Sequence, residues 1–255
     1  MFRPVFVPAL GLALGLTAIS APMVHAETLD TPTAEQVSIL LESGDDARAF
    51  AQAKAGANAQ NAELTGYLGW FYDNGRHVDA DPVQAAALYR QAADLGDAYS
   101  QWRIAVMIDE GETEGTLDEA ITFLRKAAGQ KNSGAMVSLA VMHANGRGVT
   151  QDHIAALRYY QAAARLGHAQ GLLGIGIQHA NGEGVERDLR QAIAHWIVAA
   201  AQGEKTADAL LGKHIETVSQ DEALAAFQQA DVLAQKYGVA IRFELAESDV
   251  AAGGT

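Results

Sequence analysis

Five of the chain's eight histidines, His143, His153, His168, His179 and His195, fall within one short stretch of the sequence. Neutral imidazole is a common zinc ligand, so such a group raises the question of a metal centre. Two of the five open nearly identical phrases, "HANGRGV" at 143–149 and "HANGEGV" at 179–185, which start 36 residues apart. That interval is too long for one helix and too regular for a single loop. It places equivalent side chains on neighbouring structural units, whereas zinc needs three or four ligands converging on a point. Asp79 and Asp81 in "DADP" raise calcium in the same way. Asp81 is accounted for as a helix cap before Pro82, and a single leftover carboxylate makes no calcium site. There is no cysteine, hence no thiolate ligand and no thiol nucleophile. The chain has no HExxH, G-x-S-x-G, phosphate loop or dinucleotide fingerprint. The glycines of "GLLGIG" at 171–176 fall inside a helical pattern and suit packing. No catalytic residue, metal or cofactor is expected.

The repetition itself is the stronger signal. Gly75, Gly111, Gly146 and Gly182 are spaced by 36, 35 and 36 residues. The alanine pairs Ala92-Ala93, Ala127-Ala128, Ala163-Ala164 and Ala199-Ala200 are spaced by 35, 36 and 36. Two independent marks share one period. Each unit reads as two helices. The first carries apolar residues at helical spacing and closes on the loop glycine, which can take the left-handed conformation. The second opens on Asp81, Asp152 or Asp188 as N-cap, with Thr116 in that place in the second unit, where Thr116 and Glu119 spell a capping box. Small residues stand six before each loop glycine (Gly69, Ala105, Ala140, Gly176). Bulky ones stand three before each alanine pair (Tyr89, Leu124, Tyr160, Trp196), where they are expected to fill the core.

This pattern resembles the Sel1-like repeat, a helix-turn-helix unit related to the tetratricopeptide repeat. Ala62, Leu68, Gly69, Tyr72, Gly75, Asp81, Ala85, Tyr89, Ala92, Ala93 and Gly96 carry the resemblance in the first unit, and the third and fourth repeat it. The second departs: "GETEGT" replaces the G-x-G-V turn, and Lys131 replaces the final glycine. In the resemblance, His143 and His179 stand where the family has the tyrosine that Tyr72 supplies here, so the histidine phrase is a turn between helices. The resemblance implies an all-α fold, a right-handed α-solenoid. Four repeats are expected at 62–97, 98–132, 133–168 and 169–203, between capping helices at 27–61 and 204–245, with a disordered tail at 246–255.

In solenoids of this class the first helices of the units line the concave face. Trp70 and Trp102 lie on first helices at places where the repeat fixes no residue, five and nine before their loop glycines. Tyr67, Asp73, Tyr99, Arg103, Val106 and Asp109 share the same two helices. The corresponding face of units three and four carries Ser138, Val141, Gly174 and Ile177. Aromatic side chains around an arginine are a common make-up for a binding hot spot, so these eight residues are the expected partner site. The alternative is that both tryptophans belong to the core between units.

Residues 1–26 read as an export signal, with Arg3, an apolar stretch and a cleavage site at Val24-His25-Ala26. The apolar stretch is short for a membrane span, and no stable membrane insertion is expected after cleavage. The net charge of −13 becomes −14 when Arg3 is lost. An acidic surface disfavours nucleic acid as a partner. The expectation is a periplasmic or secreted protein-interaction scaffold. Its specific form is a regulator or adaptor that binds a protein or peptide, such as the outer domain of a membrane sensor. Cell-wall glycan binding through the aromatic face is an alternative. A β-lactamase-like hydrolase is a further one, suggested by exported relatives rich in cysteine; this chain lacks those cysteines and any Ser-x-x-Lys pair.

Overall fold

Repeated punctuation cuts the chain into helices of one length. The computed structural model describes residues 31–241. Its helices come in pairs: α1 (Ala34–Glu42) with α2 (Asp46–Asn58), α3 (Ala62–Asn74) with α4 (Pro82–Asp94), and α5 (Ala98–Glu110) with α6 (Leu117–Gly129). Then come α7 (Ser133–Asn145) with α8 (His153–Arg165), α9 (Ala169–Asn181) with α10 (Leu189–Ala201), and α11 (Lys205–His214) with α12 (Gln220–Tyr237). Every helix from α2 to α10 has 13 residues, about 20 Å of helix. Among the described residues there is no strand. The fold is an all-α solenoid. The expected export signal at 1–26 and the expected tail at 246–255 lie outside the described residues, and no described helix is long and apolar enough to cross a membrane.

The marks expected to end helices do so. Gly75, Gly111, Gly146 and Gly182 close α3, α5, α7 and α9 with φ of 61°, 76°, 68° and 75°. Asp81, Thr116, Asp152 and Asp188 cap the second helices, each side-chain oxygen accepting from the backbone N–H three residues on. The second-unit capping box closes on one side only. Thr116 accepts from the Glu119 N–H, but the Glu119 carboxylate turns to Arg90 on α4. A second left-handed position follows each second helix. Gly96, Gly167 and Gly203 take it as glycines, and Lys131 takes the same conformation at φ 66° despite its Cβ. Gln60 does likewise at φ 59°, so α1 and α2 follow the same grammar as the units behind them.

Small meets large inside each unit. Tyr89, Leu124, Tyr160 and Trp196 are buried, and the small residues on the first helices make room for them. A Cβ on Gly69 would stand 3.0 Å from the Tyr89 ring, and one on Gly176 would stand 2.4 Å from the Trp196 indole. With no disulfide available, this packing of alanine, glycine and large rings must hold the array together. Across units, α1 touches α3 and α5 touches α7. The Arg103–Asp73 pair links α5 to α3 in the same sense, so these first helices lie along one side of the array, the side expected to line the groove.

Candidate functional site

The face expected to line the groove of units one and two is built from α3, α4 and α5. Residues 99, 103, 106 and 110 recur at helical spacing and form one stripe on α5; 67, 70 and 74 do the same on α3. Arg103 is the centre. Its Nη2 donates to Asp73 Oδ2 at 2.8 Å, and the Tyr89 hydroxyl donates to the same oxygen at 3.1 Å. The guanidinium carbon lies 5.8 Å from the Tyr89 ring centre and 5.9 Å from that of Trp102. Tyr99 meets Tyr89 and Trp102 edge to face, with ring centres 6.0 and 5.6 Å apart. Such contacts add to area burial and fix ring orientation. Burial opposes the charge of Arg103, but Asp73, Tyr89 and Tyr99 outweigh it and hold its pKa above the ordinary value. Burial likewise pushes the Tyr89 and Tyr99 hydroxyls up, so both stay protonated at neutral pH.

The sequence-expected residues Tyr67, Trp70, Asp73, Tyr99, Trp102, Arg103, Val106 and Asp109 are all half-buried. The structure brings Asp73, Tyr99, Trp102 and Arg103 into one cluster. Trp102 is neither free nor enclosed: its indole N–H donates to Ser138 Oγ on α7 at 3.3 Å. Gly134 gives its ring room there, since a Cβ would come within 2.8 Å of it. Trp70 sits apart, edge to face with Phe71 and under the Arg76 guanidinium, whose carbon lies 5.6 Å from the ring centre. Asp109 is paired with Arg147 at 2.9 Å. Tyr89, Arg76, Arg147 and Ser138 also belong to these contacts; Tyr89 was expected only as core bulk and Ser138 only on the face of unit three, and neither arginine was expected from the sequence. A signal for two of them was present: Arg76 and Arg147 each follow a loop glycine, and each reaches back one unit, to Asp46 and Asp109.

The histidines serve the turns. The carbonyls of Tyr72, His143 and His179 each accept from the N–H of the following cap, Asp81, Asp152 or Asp188, at 2.9 Å. The His143 ring stacks on Tyr159, and His179 stacks on His195 with ring centres 5.6 Å apart. His195 is buried, its Nδ1 donating to the Gln191 carbonyl at 2.8 Å, and burial pushes its pKa down to about 4. Burial also lowers His179. Both rings are therefore neutral at pH 7. An open cleft of about 840 Å³ runs past the turns of units three and four, with Arg125, His143, Asp152 and His153 on its walls. No group of three or more His, Cys, Asp or Glu among the described residues is placed to hold a metal ion.

Comparison with known proteins agrees with this architecture. The family model described as Sel1 repeat matches residues 67–97, 98–132, 133–168 and 169–204, together more than half of the chain. The fold is similar to that of a Sel1 repeat protein from Oxalobacter formigenes, 28% identical, with a TM-score of 0.66 over 78% of this chain and 84% of that one. It is also similar to a protective antigen of uropathogenic Escherichia coli with an SLR fold, 23% identical, with a TM-score of 0.73. The match covers 81% of this chain but only 46% of that protein's length. An immunity protein from Pseudomonas aeruginosa shares the fold at 21% identity and a TM-score of 0.53, over 86% of this chain and 87% of that one. No curated protein sequence matches the chain. Four consecutive matched units, with their turns, caps and small-to-large packing in place, make the chain a member of the Sel1 repeat family.

Proposed function

We propose that the chain is an exported interaction scaffold that holds a protein or peptide partner in the groove of units one and two. Sel1 repeats mediate protein–protein contact, which sets the general role. The observation that carries the specific reading is the cluster around Arg103. Trp102, Tyr99, Arg103 and Asp73 hold one another in place, Trp102 is also tied to α7, and each stays half-buried rather than enclosed. Rigid aromatic surface loses little entropy on binding, which is what a hot spot needs. A periplasmic regulator or adaptor, contacting the outer domain of a membrane sensor or an envelope assembly, is the specific form proposed. It rests on the export signal read at residues 1–26.

The test is a pull-down from envelope extract with the wild-type chain and with Trp102→Ala. A stoichiometric protein partner that the variant loses supports the reading. Co-sedimentation with purified cell wall, without a protein partner, would favour glycan binding through the same rings. Turnover of a chromogenic β-lactam would favour a hydrolase.

A further inference from the structure

The second turn departs from the other three in charge as well as in shape. The α5 stripe of Tyr99, Arg103 and Val106 ends on Glu110, where the other first helices end on Asn74, Asn145 and Asn181. From Asp109 to Glu119 there are six carboxylates and no lysine or arginine. Two are neutralised within the fold, Asp109 by Arg147 and Glu119 by Arg90. Glu110, Glu112, Glu114 and Asp118 are exposed, and none has an ion-pair partner among the described residues. Asp118 gains from the N-terminus of α6. Glu110 has the opposite placement: it is the last residue of α5, where the helix dipole disfavours a carboxylate. The fold gains nothing from that charge, and asparagine serves the position in three other units.

The cation on the stripe does not offset it. Arg103 is committed to Asp73 and flanked by Tyr89 and Trp102. The groove therefore offers aromatic surface at Tyr99 and Trp102 and, about 12 Å further along the same helix, unpaired negative charge. From this juxtaposition we propose that the partner segment is basic and amphipathic, with a large apolar side chain against Tyr99 and Trp102 and lysines or arginines facing Glu110, Glu112 and Glu114. This deepens the groove reading above and rests on it. The acidic turn steers the encounter and selects the sign of the partner, while the rings hold it.

The probe is a labelled amphipathic leucine–lysine peptide, with a counterpart bearing glutamate for each lysine, titrated into the full chain at physiological ionic strength by fluorescence anisotropy. Three variants are compared: E110Q/E112Q/E114Q/D118N, Trp102→Ala, and a control that removes four exposed carboxylates elsewhere (D208N/E216Q/D221N/D231N). The proposal expects the lysine peptide to bind the wild type and the control alike, within about twofold. It expects at least about tenfold weaker binding to the neutralised turn, and weak binding of the glutamate peptide throughout. If Trp102→Ala weakens the peptide and the neutralised turn does not, the groove stands and the basic partner is overturned. If neither variant matters, or the control loses as much as the neutralised turn, both readings fall. Displacement of the peptide by a muropeptide, or self-association of the chain abolished by the neutralised turn, would overturn this occupant in favour of glycan or a second copy. Matching thermal melts for all variants exclude unfolding as the cause.

Discussion

Units one and three place the same tyrosine at the same point, and the next unit treats it differently. Tyr89 projects from α4, where Arg103 lies over its ring and Asp73 accepts from its hydroxyl. Tyr160 projects from α8, and the residue equivalent to Arg103 is Gly174, whose Cβ, if present, would stand 2.4 Å from the Tyr160 ring. In the first half of the array a buried ring is covered by a charged, polar lid. In the second half it lies directly on the backbone of the next helix. The neighbouring positions follow suit: Trp70, Asp73 and Asp109 in the first half stand against Val141, Ile177, Ala144 and Ala180 in the second. One backbone thus supports two faces, set by the side chains that each unit places on its first helix. The first half presents specific, oriented polar and aromatic groups; the second presents mainly aliphatic ones.

The largest effect expected is from writing one half into the other. Gly174→Arg puts the residue of unit two into unit four, where even a Cβ meets the Tyr160 ring. It should destabilise the fold by more than about 3 kcal/mol, with Gly174→Ala losing about 1–3 kcal/mol. Urea denaturation measures both. Tolerance of the arginine would show that Tyr160 can be covered by the same lid as Tyr89.

Next comes acid. The second half contains the stacked His179 and His195, whose rings are surrounded by Gln191, Asp188 and, from α12, Lys236. His195 has a folded pKa of about 4 against 6.5 when free. The unfolded chain therefore binds the proton first, and stability is lost as pH falls from 6.5 towards 4. The loss approaches about 3 kcal/mol at the lower end. His195→Leu, which restores the residue unit one carries as Leu88, should remove that contribution. The difference between wild type and variant in denaturation at pH 7 and pH 4.5 checks it. An unchanged pH profile in the variant would sink the assignment.

Smaller effects test the turns that both halves share. Gly146→Val and Gly182→Val force a branched residue into the left-handed conformation, and each should cost more than about 1 kcal/mol. His143→Tyr returns the family residue to a ring-stacking position beside Tyr159 and should change stability by less than about 0.5 kcal/mol. Thermal melts decide. A loss of function in His143→Tyr at unchanged stability would make the histidine part of a site.

These contrasts also show what the sequence could and could not reveal. The turns and helix lengths were legible because left-handed glycines and capping aspartates are imposed locally, by backbone geometry, at every period. The recurring small and bulky positions were legible because they return at every period; that the small residues make room for the bulky rings is seen only in the structure. The Arg103–Asp73–Tyr89 contact was not. Asp73 and Arg103 were both placed on the groove face, but their pairing spans 30 residues, and Tyr89 had been read only as core bulk. A buried tyrosine must still satisfy its hydroxyl, and where it does so depends on the next unit. The capping box at Thr116 failed in half for a related reason: Arg90, one unit away, outcompetes the backbone N–H for Glu119. Local rules were sound within a unit and silent about the seams.

The central claim is that the aromatic and polar face of the first half, and not the aliphatic face of the second, holds the partner. Calorimetric titration of the captured partner against wild type, Trp102→Ala and Val141→Ala tests it most directly, with melts recorded in parallel. Val141 is the exposed residue of the second face, at 41% exposure. Trp102→Ala should weaken binding by about 2 kcal/mol. It should lower stability by no more than about 2 kcal/mol, less than a fully buried ring would cost, and Val141→Ala should change binding less than about twofold. Equal losses from the two variants, or unchanged binding by Trp102→Ala with a stability loss above about 3 kcal/mol, would contradict the account and return Trp102 to the core between units.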